Sequence, residues 1–276
     1  MVGHAVDLFK EVGSGLVRCF NALIFACVLG KDFKEMKRVY MDFPRIYNVV
    51  LDVESYNRVI KGFSESRETG SGYSILTEMD KNGVKPNAAT FAEMVAGFYA
   101  EERLDEVEKV LELMKEKYGM VPGVPMWNVR IKSLCKLRRS KEAKELLDGM
   151  LKKRMKPNSV TYEELIHGFC REGNLEEAKS LFKSMVNRGF KPDSFVYFTL
   201  VHFLCEGGNF ESALRVCEES IGKGWVPNIT TMKALVKGLK STGKVEEAKE
   251  LIGEVKGKVS KKLDLWEEIE AGLATA

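Results

Sequence analysis

Four side chains able to carry positive charge stand at one fixed interval: Lys132, His167, His202 and Lys237 lie 35 residues apart. Lys61 precedes them in the same series, with Ala96 at the step between it and Lys132. Cations repeated in register can follow the phosphates of a nucleic-acid backbone. More basic residues gather near them. Lys233, Lys240 and Lys244 flank Lys237 at helical spacing, Lys136 and Arg139 follow Lys132, and Arg171 follows His167. Against this stands a bland alternative: charged residues are 30% of the chain and the net charge is only +3, which a solvated surface also produces.

Other chemistries have less support. In helices one repeat apart, His167 and His202 would stand about one helix-packing distance (~10 Å) from each other, too far to share a zinc ion with ~2 Å bonds. Of the six cysteines, Cys135, Cys170 and Cys205 also recur every 35 residues. That spacing exceeds the roughly 7 Å Cα separation of a disulfide, so they read as small core residues. Cys19, Cys27 and Cys217 make no CxxC pair. No phosphate-binding GxxxxGK or GxSxG motif is present. The acidic pairs Glu176-Glu177 and Glu246-Glu247 open helices, where the dipole favours them. No catalytic residue, metal site, cofactor or small-molecule substrate is expected. The apolar run Leu16–Gly30, interrupted by Arg18 and Asn21, is too short to span a bilayer.

The elements that hold the column are clearest in Ser159–Asp193. Thr161, with Glu164 three residues later, reads as a capping box for a helix whose apolar stripe is Leu165, Ile166 and Phe169. Gly173 ends it. Asn174 caps a second helix carrying Leu175, Ala178, Leu181, Phe182 and Met185, and Gly189 and Pro192 turn the chain back. Such a hairpin cannot bury its apolar face alone and needs copies beside it. Pro122, Pro157, Pro192 and Pro227 recur at the 35-residue period, as do Ala143, Ala178, Ala213 and Ala248. The expected fold is all-α: a right-handed superhelical solenoid of seven helix-turn-helix repeats, 17–52, 53–87, 88–123, 124–158, 159–193, 194–228 and 229–263. Residues 1–16 read as the second helix of a truncated repeat, so that the natural protein is expected to start earlier. Residues 264–276 read as a capping helix, with Trp266 and Ile269 covering the open end and acidic residues facing water.

The 35-residue period, the VTYEELIHGFCREGNLEEAKSLFKSM pattern and the KPN and KPD repeat ends resemble the pentatricopeptide repeats of the plain class. The likeness covers nearly the whole chain; tetratricopeptide repeats, with a 34-residue period, are the near rival. More narrowly, LDVESYNRVIKGF, SKEAKELLDGM and WVPNITTMKALVKGL are similar to plant mitochondrial members associated with the mitochondrial ribosome, the small subunit above all. The resemblance implies an RNA-binding superhelix of mitochondria, or alternatively chloroplasts, whose first helices line the inner surface and so present the basic column to phosphates.

It also implies that the fifth and last residues of a repeat read one nucleotide. Asn21 with Asp52 resembles a uracil reader, and Asn57 with Asn87 and Asn128 with Asn158 resemble pyrimidine readers. An early helical asparagine can also be a local cap. Ala92 with Gly123, Glu163 with Asp193, Phe198 with Asn228 and Lys233 with Leu263 depart from the pattern. Three functions follow: a ribosome component contacting mitochondrial rRNA and ribosomal proteins, a free sequence-specific factor for organellar RNA, or a scaffold gripping acidic peptides.

Overall fold

The computed structural model describes residues 17–258 and 263–274, with Gly3, His4, Val6, Asp7 and Phe9 before them. All elements among the described residues are helical. They are Val17–Leu29 (α1), Phe33–Ile46 (α2), Val53–Glu65 (α3), Ser71–Lys81 (α4), Ala88–Ala100 (α5), Leu104–Glu116 (α6), Val124–Lys136 (α7) and Ser140–Lys152 (α8). There follow Ser159–Arg171 (α9), Leu175–Asn187 (α10), Ser194–Glu206 (α11), Phe210–Gly222 (α12), Ile229–Ser241 (α13), Val245–Lys258 (α14) and Leu263–Ala274 (α15). No described helix is long and apolar enough to cross a membrane.

Helical hairpins repeat along the chain, as the period requires. The chain divides into two compact units, Met1–Ser133 and Leu134–Ala276. In the first, α1, α3 and α5 lie side by side, and α2, α4 and α6 each fold back on their own first helix. In the second, α9, α11 and α13 lie side by side with α10, α12 and α14 closing their hairpins.

Five of the first helices start where a side chain satisfies their leading amides. Asp52 accepts the Ser55 N–H at 2.8 Å, and Asn87 accepts those of Ala89 and Thr90 at 3.0 and 3.1 Å. Asn158 accepts from Thr161, Asp193 from Val196 and Asn228 from Thr231. A cap of this kind contributes about 1 kcal/mol. The expected cap at Thr161 is corrected here. Asn158 caps α9, and Thr161 is the third helical residue, its Oγ1 accepting the Asn158 N–H at 3.1 Å. The box is therefore Asn158 with Thr161, and Glu164 takes no part in it. Asn174 does cap α10, and Gly173 and Gly189 take φ of 76° and 83°, the left-handed turn where glycine costs nothing.

Between hairpins the packing rests on small residues. Ala143, Ala178, Ala213 and Ala248 are wholly buried, and Cys135, Cys170 and Cys205 are buried too. A second small column, at Gly62, Gly97, Gly168 and Gly238, admits the preceding hairpin. A Cβ on Gly168 would lie 2.5 Å from Cys135 Sγ and 2.6 Å from Ser140 Oγ, and one on Gly97 would lie 2.4 Å from Thr69 Oγ1. Carboxylates fasten the same junctions: Glu101 accepts the Thr69 N–H and Glu172 the Ser140 N–H, both at 2.8 Å. Glu172 thereby supplies the first amide of α8 with an acceptor, and Glu101 holds the turn that leads into α4.

At the C-terminal end, Trp266 and Ile269 of α15 are buried. Its acidic residues are not all left to water: Glu268 meets Lys233 at 3.0 Å and Glu270 meets Lys256 at 2.8 Å. At the other end, Phe9 is buried with its ring 5.3 Å from those of Phe43 and Tyr47. The rest of the expected leading helix, including Ala5, Leu8 and Val12, lies outside the described residues.

Overpacking a close contact costs about 1–3 kcal/mol. Gly168→Ala and Ala178→Leu are therefore expected to lower the melting temperature. Gly253→Ala, on the exposed face of α14 with nothing within 4 Å of its Cβ, should raise it, because alanine gains roughly 0.5–1 kcal/mol over glycine in a helix. Thermal denaturation of the three variants checks the contrast.

Candidate nucleic-acid interface

The fifth and last residues of a repeat come together at the start of the following first helix. Asn21 Nδ2 donates to Asp52 Oδ1 at 3.3 Å, and Asn57 Nδ2 donates to Asn87 Oδ1 at 3.2 Å. The reading of an early helical asparagine as a local cap thus assigns the cap to the wrong partner of the pair: it is the last residue, Asp52 or Asn87, that caps. The two pairs differ in access. Asn57 is half-buried and Asn87 exposed, whereas Asn21 is only 4% exposed and its Oδ1 has no hydrogen-bond partner. Asn128 is half-buried on α7, and Asn158 is exposed at the start of α9. In the off-pattern repeat, burial pushes the Glu163 carboxyl up, and the neighbouring Asp193 and Glu164 add to the effect.

The basic column stands on the first helices. Lys132, Lys136, His202, Lys233 and Lys237 are exposed, while Lys61, His167, Arg171 and Lys240 are half-buried. His167 lies against Phe195, ring centres 5.5 Å apart, and His202 Nε2 faces Glu206 at 3.4 Å. Lys233, Lys237 and Lys240 line a groove of about 680 Å³ between α13 and α15, floored by Val236 and Ile269. Two expected members leave the column. Lys244 lies beyond the end of α13 and is bound to Glu211 at 2.5 Å. Arg139 occupies the cap position of α8 and meets Glu142 at 2.6 Å. Helical spacing carried past the last turn of a helix puts both on turns rather than on its face.

The sequence reading missed several exposed groups on the same helices. Phe25 is 46% exposed, with the Arg58 guanidinium 5.1 Å from its ring centre. Together with Asn57, Lys61 and Glu93 they line a groove of about 230 Å³ across α1, α3 and α5. Burial pushes the Glu93 carboxyl up; Lys61 opposes this and Glu65 adds to it. Val160 and Phe195, 35 residues apart, are 43% and 52% exposed at the second positions of α9 and α11. Their signal was available: apolar residues recurring in register but out of phase with the buried stripe. Exposed flat or branched apolar groups beside cations suit the stacking of unpaired bases.

The thiols are placed for packing. All six are free, and burial pushes Cys27 up to about 11 and Cys135, Cys170, Cys205 and Cys217 up to about 12. Among the described residues, no three His, Cys, Asp or Glu side chains converge on a point that could hold a metal.

The profile of the PPR repeat family matches residues 51–100, 122–171 and 158–206, and the PPR repeat profile matches 90–118 and 230–258. A mitochondrial pentatricopeptide repeat-containing protein of Arabidopsis thaliana is 53% identical over 128 residues, which are 45% of this chain and 31% of that protein. The Arabidopsis thaliana small ribosomal subunit protein mL103 (rPPR7) is 28% identical over 171 residues, 60% of this chain and 41% of its own. The crystal structure of the pentatricopeptide repeat protein PPR10 from maize matches 93% of this chain and 39% of its own with a TM-score of 0.60 at 20% identity. These matches span about two fifths or less of the partner proteins' lengths.

Thiolate is the reactive form of cysteine, and raised pKa values withhold it. At neutral pH a disulfide reagent is expected to modify at most the half-exposed Cys19 quickly in the native protein, and all six thiols after denaturation. Rapid native reaction of four or more would contradict the buried placement.

Proposed function

Because this chain belongs to the pentatricopeptide repeat family, we propose that it is a non-catalytic RNA-binding protein of the plant mitochondrial matrix, acting as a component of the mitochondrial ribosome. RNA binding is supported by one observation: on α3 the paired Asn57 and Asn87 stand beside Lys61, and exposed lysines recur at the matching places of α7 and α13. Cations of this kind hold phosphates and set register, while the amide pairs meet base edges. Val160, Phe195 and Phe25 offer surfaces on which unpaired bases stack.

The ribosomal assignment draws on the likeness to mL103 and on the off-pattern repeats. Ala92 with Gly123 offers no side-chain hydrogen bond, and Glu163 with Asp193 sets two carboxylates where a base would approach. A chain with so few amide readers selects a unique message poorly, yet can hold an rRNA segment already presented by neighbouring ribosomal proteins. In a density gradient of mitochondrial extract, the native protein is expected to migrate with a ribosomal subunit, the small one favoured. Migration as a free species alone, at low salt, would transfer the assignment to a free RNA-processing factor.

Phosphate contact has its own signature. The logarithm of affinity for single strands falls with the logarithm of salt by about 0.7 for each contact. Replacing Lys132, Lys136 and Lys237 by Gln should weaken binding to many sequences alike and flatten the slope by roughly 2. Lys244→Gln, at a lysine held by Glu211, should leave the slope unchanged. Titrations at several salt concentrations measure both.

A further inference from the structure

The amide of Asn57 is held in one orientation by the cap of the next helix. Backbone N–H groups of Ala89 and Thr90 donate to Asn87 Oδ1 at 3.0 and 3.1 Å, so the oxygen of that amide must face inward. Asn57 Nδ2 donates to the same oxygen at 3.2 Å. The reverse orientation of Asn57 would set oxygen against oxygen. Its own Oδ1 receives the Thr90 hydroxyl at 2.6 Å. Thr90 Oγ1 accepts the Asn87 N–H at 3.0 Å and has a single proton to give; Asn87 Oδ1, at 3.3 Å, is the more distant acceptor.

Both amide oxygens are therefore turned inward and accept hydrogen bonds from the protein. What remains outward is one N–H of Asn57 and the Nδ2 of Asn87, which has no partner among the described residues. The first repeat supplies an internal contrast. There the cap is an aspartate, and the Ser55 hydroxyl donates to it at 2.9 Å. No proton is left for Asn21, whose Oδ1 is buried without a partner.

We propose that Thr90 is a positioning residue that locks the Asn57 amide oxygen-inward, so that Asn57 and Asn87 offer a base only N–H donors. Resting on the RNA-binding reading above, this makes the repeat selective for an edge with two adjacent acceptors, as in N3 and O2 of cytosine. Uracil, whose N3–H interrupts that pair, is disfavoured. The hydroxyl of Thr90 is buried and touches no RNA. It acts through Asn57.

The test compares oligocytidylate with oligouridylate for the full chain and its Thr90→Val, Thr90→Ser and Asn57→Ala variants, at several salt concentrations. A two-donor edge contact discriminates by roughly fivefold to a hundredfold. Thr90→Val should lower the cytosine-to-uracil ratio about fivefold or more while leaving the salt slope unchanged, and Thr90→Ser should restore the ratio. A wild-type chain without cytosine preference overturns the proposal, as does a Thr90→Val ratio equal to wild type when Asn57→Ala has abolished it. Failure of the wild type to bind either RNA would instead remove the RNA-binding reading. Neutron diffraction on the deuterated wild type decides the geometry without any variant: deuterons on the Asn57 atom facing Asn87 uphold it, and deuterons on the atom facing Thr90 refute it.

Discussion

A single hydrogen bond, from a leading amide of a first helix to the side chain that ends the preceding repeat, recurs at five junctions and underlies the rest. Asp52, Asn87, Asn158, Asp193 and Asn228 all make it. Its value is small beside the buried apolar surface, yet it sets the register in which that surface is presented. A helix begun one residue later would turn its buried face by about 100°, since 3.6 residues make a turn. Tyr56, Phe91, Tyr162 and Tyr197, wholly buried at the fourth helical position, would then swing out of the core. The cap also governs the surface. Because its oxygen is committed inward, the fifth residue of its own repeat is drawn beside it, and the candidate base-facing pair is a by-product of starting a helix.

Electrostatics sets the limits of the basic column. On the turns that flank first helices, carboxylates take the cations: Glu211 holds Lys244 and Glu142 holds Arg139; on the face of α13, Glu268 holds Lys233. Lys132, Lys136 and Lys237 lie on helix faces with exposed side chains. Such exposed pairs contribute little to stability, typically under about 1 kcal/mol.

Much of the hairpin architecture was legible because period and chemistry coincide. Proline, alanine and cysteine recur every 35 residues, and Ala143 through Ala248 prove to be fully buried. Three features were less legible. The pattern Thr-x-x-Glu at Thr161 matches the usual capping-box rule, whereas the box that forms joins Asn158 to Thr161, with a hydroxyl where the rule expects a carboxylate or amide. Glycine in mid-helix reads as a weak helix former, so the column through Gly97 and Gly168 shows its purpose only once the preceding hairpin is seen against it. The burial of Asn21 likewise follows from neighbours in space, which spacing along the chain does not disclose. Lys244 and Arg139 were misplaced because a helical period carries no mark of where its helix stops.

The cap that ends one repeat and begins the next helix also bears on how such arrays change over generations. The covalent repeat and the hydrogen-bonded repeat are out of step by one residue, so each capped junction is shared property. Between equivalent positions of two capped repeats, loss or duplication of a whole repeat rejoins a capping residue to a helix start. Unequal recombination can therefore lengthen or shorten the array without first inventing a boundary. A point change at a capping position behaves differently, since its structural damage falls on the following helix rather than on the repeat that carries it. Copy number can drift freely under this arrangement, while the residues at the seams stay under joint selection from both sides.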